Sequence, residues 1–203
     1  MGLFDLNILA PVDDNKSHEN TLAGKSAAIL ASYEQLQGNK VAIIDQHING
    51  IPSPGQCVFV WTTNQFNTMA FIVWIIRELG FIDELTITTY SIGATAINTL
   101  IKWYDAGKIK NIFFYLAAYN KRIAPKNVDL LMAQASSRDG ITVAFGFNHS
   151  KILLAGSGEK KIVIAGSGNF SENAYNEQYV ICNDKRIYDF YSEQIRENLS
   201  EGQ

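Results

Sequence analysis

"ELTITTYSIGATAINTLIKWYDAGKIKNIFFYLAA", residues 84–118, decides the fold. Its first eight residues are rich in β-branched side chains and read as a strand. Ile97, Leu100, Ile101 and Tyr104 then recur at helical spacing in "ATAINTLIKWYDAG", which ends on Gly107, and "NIFFYLAA" (111–118) is a second strand. The same alternation continues on both sides. Upstream, "CVFVWT" (57–62) reads as a strand and "NTMAFIVWIIRELG" (67–80) as a buried helix closed by Gly80. Downstream, "PKNVDLLMAQASSRDG" (125–140) begins a helix on proline and stops it on glycine, before the strand "ITVAFGF" (141–147).

Beyond residue 148 the rhythm changes. "HSKILLA" (149–155), "KKIVIAG" (160–166) and "EQYVICND" (177–184) are strand-like runs joined by short Gly- and Asn-rich segments, the pattern of local antiparallel pairing. "RIYDFYSEQIREN" (186–198) follows as an amphipathic helix. Strand-helix alternation followed by hairpin-like strands predicts an α/β fold: a mixed β-sheet flanked by helices on both faces. No Ser/Gly/Pro-rich linker divides residues 56–198, so 56–203 is read as one domain. Residues 1–55 are read as an N-terminal extension of unassigned role packed on it. Within the extension, "TLAGKSAAILASYEQLQG" (21–38) suits a helix, "KVAIID" (40–45) a strand and "NGIPSPG" (49–55) a turn.

The chain has 203 residues, 47% apolar and 18% charged, the profile of a globular protein. Its net charge of -3 gives no global attraction to polyanions, so any such binding needs a local patch. Residues 102–126 hold one: Lys102, Lys108, Lys110, Lys121, Arg122 and Lys126 against a single acid, Asp105. The longest apolar run, Met69 to Ile76, is far short of the ~20 residues of a membrane span. With no basic, apolar leader at the start, a soluble, cytoplasmic protein without membrane contact is expected. Cys57 and Cys182 lack metal-ligand spacing and are expected as buried free thiols.

One phosphate motif can be set aside. "AGKS" (23–26) matches the end of a P-loop, and "VAIID" (41–45) the acidic strand that holds magnesium in such proteins. The motif needs a glycine five residues before Gly24, where Glu19 would repel phosphate, and a strand leading in, where "DDNKSHEN" is not one.

The chemistry lies later. In a strand His149 and Lys151 would point to one face, bringing two nitrogen groups together. "AGSGN" (165–169) supplies glycines that let backbone approach a ligand, Ser167, Gly168 and the neutral donor of Asn169, and Glu177 opens the next strand. These parts suit phosphoryl transfer. His149, Lys151, Gly166, Ser167, Asn169 and Glu177 match in order and spacing the signature of the phospholipase D superfamily, which the chain resembles over residues 56–198. The resemblance implies four catalytic residues: His149 as nucleophile, Lys151 and Asn169 as charge stabilisers and Glu177 as the carboxylate that orients the imidazole. Ser167, Gly168, Lys121 and Arg122 are the expected substrate contacts. The family's acid five positions after the lysine is missing: Gly156 stands there.

In the resembling family a second histidine, from another motif copy, protonates the leaving oxygen. His18 and His47 have asparagine, not lysine, two positions on, so neither is a second copy. A homodimer sharing one site would complete it. Neither a carboxylate cluster nor a His/Cys ligand set is apparent, so no metal and no cofactor are expected. The expected function is a metal-independent phosphodiesterase, a nuclease acting on DNA or RNA through a phosphohistidine. The competing reading is a catalytically silent nucleic-acid-binding module of a larger DNA-processing system. Tyr115, Tyr119 and Phe147 are candidates for stacking on bases.

Overall fold

The computed structural model describes residues 40–63, 67–170 and 176–200. The helix expected over 21–38 and the P-loop-like segment lie outside the described residues. Residues 40–45, expected as a strand, instead belong to a helix over 40–47 (α1). The reason is periodicity: Val41, Ile44 and Ile48 are all buried and sit at i, i+3 and i+7, one helical stripe, which the β-branched run "VAII" disguises.

Seven strands follow: β1 (Cys57–Thr63), β2 (Ile82–Thr89), β3 (Ile109–Ala117), β4 (Ile141–Gly146), β5 (Ile152–Ser157), β6 (Lys160–Gly166) and β7 (Asn176–Asn183). The helices are α2 (Thr68–Leu79), α3 (Ala94–Asp105), α4 (Asn120–Ile123), α5 (Pro125–Ser136) and α6 (Lys185–Ser200). All strands form one sheet in the order β1-β7-β6-β5-β2-β3-β4. β2, β3 and β4 are parallel, joined by the crossovers read from the sequence. The pairs β2/β5, β5/β6, β6/β7 and β1/β7 are antiparallel. The mixed sheet and its flanking helices are therefore as expected; α4, a single turn, has no signature in the sequence.

Alternation along the strands divides the core. On one face Leu85, Ile87, Phe114, Leu153, Ala155 and Ile164 meet α1, α2, α3 and Leu131 of α5. Phe71 and Trp74 of α2 are fully buried there, each contributing roughly 1.5–3 kcal/mol. α2 stops at Gly80, whose φ of 83° lets its N–H reach the Ile76 carbonyl at 2.7 Å. On the other face α6 lays Tyr188 and Ile195 over Tyr115, Leu154, Val163 and Cys182.

The cysteines are not free. Cys57 and Cys182 stand directly opposite each other on β1 and β7, and their sulfurs are bonded. Their separation of 125 residues in sequence concealed the pairing, which only the β1–β7 register brings about. Among the described residues no helix is long and apolar enough to cross a membrane.

Candidate active site

Parallel strands β2 and β3 deliver their C-terminal ends, and antiparallel β5 its N-terminal end, to one edge of the sheet. Segments 89–92, 117–120, 147–151 and 167–170 therefore meet there. Asn148 builds the first part. Its side chain is buried; Nδ2 donates to the carbonyls of Thr89 (3.2 Å) and Tyr115 (3.0 Å). Its Oδ1 accepts from the N–H (2.9 Å) and hydroxyl (2.6 Å) of Ser150. Ser150 is also 2.7 Å from the Thr88 hydroxyl, which accepts the Ile152 N–H at 2.9 Å. Both the amide nitrogen and the oxygen of the side chain are thus used, which ties the loop carrying its neighbour His149 to the ends of β2 and β3.

β5 begins only at Ile152, so His149 and Lys151 lie in its approach loop. They meet through direct contact rather than strand alternation: Lys151 Nζ donates to the His149 carbonyl at 2.8 Å and lies 3.2 Å from ring Nδ1. His149 is exposed and Lys151 half-buried. Partial burial pulls the Lys151 pKa below the ordinary lysine value, and the charge of Glu177 opposes that shift.

The second part comes from the end of β6. A Cβ on Gly166 would collide with the Gln178 carbonyl and the Tyr179 ring, so this glycine answers to the packing of β6 on β7, not to a ligand. Gly166 N–H donates to the Lys151 carbonyl at 3.1 Å, tying the two parts together. Gly168 is buried and its carbonyl accepts from Thr68 at the start of α2 (2.9 Å). Phe170, 1% exposed, pins the loop by a bridge to Ile92. Between them, Asn169 Oδ1 accepts from Thr89 Oγ1 at 3.2 Å, which leaves its amide nitrogen to serve a ligand.

Glu177 accepts a hydrogen bond from Ser167, whose oxygen also takes the Gln178 N–H at 3.0 Å. In this arrangement the carboxylate acts on the site through Ser167 and the field at Lys151. His149, Lys151, Ser167, Gly168, Asn169 and Glu177 are thus all gathered at one edge.

The basic stretch divides. Lys121 and Arg122 are exposed on α4, and Lys126 opens α5, all at the site's end of β3. Lys102, Lys108 and Lys110 lie at the opposite end of β3, a strand's length of roughly 30 Å away, and do not extend the same surface. Of the expected stacking residues, Tyr115 is buried under α6, whereas Tyr119 and Phe147 are exposed.

Tyr90 was missed by sequence reasoning. Its ring lies 5.0 Å from His149, centroid to centroid, with the Lys151 ammonium 6.0 Å from its centroid. Thr89 and Asn148 were missed too. The available signal was Asn148-x-Ser150, a side-chain-capped turn immediately around the histidine.

Gly156, where the family pattern has an acid, is buried inside β5. It stands five positions, ~16 Å of extended chain, beyond Lys151. A Cβ there would meet Lys161 Nζ at 3.1 Å and the Tyr188 hydroxyl at 3.2 Å, so a lysine and a tyrosine occupy the place of the carboxylate. Burial raises the Tyr188 pKa to about 12.

No protein-family model matches the sequence, and no curated protein matches it. Solved structures do match. Nuc from Salmonella typhimurium, a phospholipase D family member, superposes with a TM-score of 0.55 at 15% identity over 73% of this chain and 96% of its own. Polyphosphate kinase from Porphyromonas gingivalis gives 0.52 at 17% identity, over 73% of this chain but only 26% of its own. The chain has the phospholipase D-like fold.

Proposed function

We propose that this chain is a metal-independent phosphodiesterase that cleaves nucleic acid through a phosphohistidine on His149, two copies of the chain completing one site. The observation that carries this reading is the exposed His149 ring held against Lys151, with Asn169 presented from a second loop at the same edge. The shared fold with a phospholipase D family member supports it.

Where the ring is neutral and accepts the Lys151 ammonium at Nδ1, Nε2 carries the ring proton. A phosphate oxygen competing for the ammonium draws it away. The proton then resides on Nδ1, and the Nε2 lone pair is free to attack phosphorus. Lys151 and Asn169 Nδ2 stabilise charge on the non-bridging oxygens. The leaving oxygen departs as the P–O bond breaks and takes a proton from a general acid, the role of His149 of a second copy. Water, activated by the same group, then cleaves the P–N bond and restores His149. Lys121, Arg122 and Lys126 flank the site as contacts for the polyanion backbone.

The test is incubation of the purified chain with single- and double-stranded DNA and RNA in excess EDTA, with its mass in solution measured alongside. The reading expects cleavage, abolished in His149→Ala, by a dimer. It fails if no substrate is cut, or if His149→Ala cuts as well as the parent.

The hydrogen bond of Glu177 to Ser167 favours one alternative, a silent nucleic-acid-binding module. That reading expects salt-dependent binding that survives His149→Ala and falls when Lys121 and Arg122 are neutralised.

A further inference from the structure

An aromatic ladder runs outward from the candidate nucleophile. The His149 ring lies 5.0 Å from Tyr90, Tyr90 stacks on Tyr119 at 6.3 Å and 29°, and the Arg122 guanidinium lies 5.8 Å from the Tyr119 centroid. Neither tyrosine belongs to the two apolar clusters among the described residues, and Tyr119 is 47% exposed. Burial therefore does not account for the pair.

The ladder is firmly held. Asn120, 2% exposed, donates from Nδ2 to the Tyr90 carbonyl and to the Ala117 carbonyl (3.1 Å). Asn127 Nδ2 donates to the Ile92 carbonyl at 3.1 Å. Two buried or half-buried amides thus staple α4 and α5 to the 90–92 turn and fix Tyr119 relative to His149. A rigid, exposed ring with the guanidinium of an exposed arginine over it offers a π-face for a nucleobase when that arginine turns to pair with the adjoining phosphate.

We propose that Tyr90, Tyr119 and Arg122 form a stacking subsite for an unpaired base beside the reacting phosphate, so that the substrate is a single-stranded nucleic acid. In a duplex both faces of each base are covered by its neighbours, so only an unpaired or extruded base can lie on Tyr119. This rests on the phosphodiesterase reading for the position of the phosphate, but its test does not depend on turnover.

Fluorescent oligonucleotides of one sequence, as single strand and as duplex, are titrated with the full chain carrying His149→Ala as the parent, so that no probe is cut, and with the same chain also carrying Tyr119→Leu or Tyr119→Phe, the chain with His149 intact being kept for the hydrolysis assay; thermal melting confirms that each variant folds. The expected result is tighter binding of the single strand by the parent, a loss of about 5- to 100-fold in Tyr119→Leu, and retention within about two-fold in Tyr119→Phe. Duplex affinity should not change. Equal affinity of the parent for both forms, or unchanged single-strand binding in Tyr119→Leu, overturns the proposal. Hydrolysis of bis(4-nitrophenyl) phosphate, measured in parallel, separates the two ideas. Ladder-dependent binding without hydrolysis of any diester leaves the subsite and removes the enzyme. Hydrolysis without ladder dependence does the reverse.

Discussion

Gly156→Asp restores the acid that the phospholipase D pattern places five residues after the lysine, and the structure says it should do little to catalysis. The new carboxylate would sit ~16 Å from Lys151 along β5. At that distance one charge acts on another with about 0.3 kcal/mol in water and about 1 kcal/mol at an effective dielectric of 20, before salt screening over ~8 Å. That bounds the change in rate at about six-fold. Stability is the larger effect. A Cβ at 3.1 Å from Lys161 Nζ and 3.2 Å from the Tyr188 hydroxyl forces both ends to yield a few tenths of an ångström. Overpacking costs about 1–3 kcal/mol, offset by at most about 1 kcal/mol from a new pair with Lys161. Cleavage kinetics and urea midpoints of the two proteins should show a destabilised variant with almost unchanged kcat/KM. A variant of unaltered stability that cleaves ten-fold faster or more would refute the reasoning, because it would mean that the glycine had been silencing the site.

Three further outcomes follow from the same geometry. Lys151 has a pKa below that of an exposed lysine, so its ammonium, and the activity, should be lost at a lower pH on the alkaline side. Lys151→Arg should move that limb upward while lowering the rate about ten-fold, and an unmoved limb in the pH profile would exclude Lys151 as its source. Alkylation should modify neither cysteine before reduction and both after it, with reduction lowering stability by about 2–4 kcal/mol in urea unfolding. Asn148→Ala should cost about 2–4 kcal/mol by removing the buried hydrogen bonds to the Thr89 and Tyr115 carbonyls, read as a drop in the urea midpoint.

The repeating units were legible because local pattern and tertiary role agree in them. The β2–α3–β3 crossover, the helix closed by Gly80 and the three antiparallel strands follow from periodicity and turn residues alone. The reading failed where another scale decided. In residues 40–47 the burial stripe of Val41, Ile44 and Ile48 overrode a β-branched run. The Cys57–Cys182 bond depends on the register of strands 125 residues apart. The motif residues were visible as a spaced set, but their supports were not. Tyr90, Thr89, Asn120 and Asn148 act through backbone carbonyls and ring faces, which any sequence offers at many positions and only the fold brings together. Gly166 illustrates the converse: a residue read as making room for phosphate makes room for β7.

The central claim is that His149 becomes covalently phosphorylated. Rapid quenching of the chain with a labelled single-stranded oligonucleotide in excess EDTA, followed by peptide mapping, tests it most directly. The account predicts a phosphoryl adduct on the peptide containing His149, and none in His149→Ala, which should also fail to cleave. Cleavage without an adduct, undiminished in His149→Ala, would contradict it.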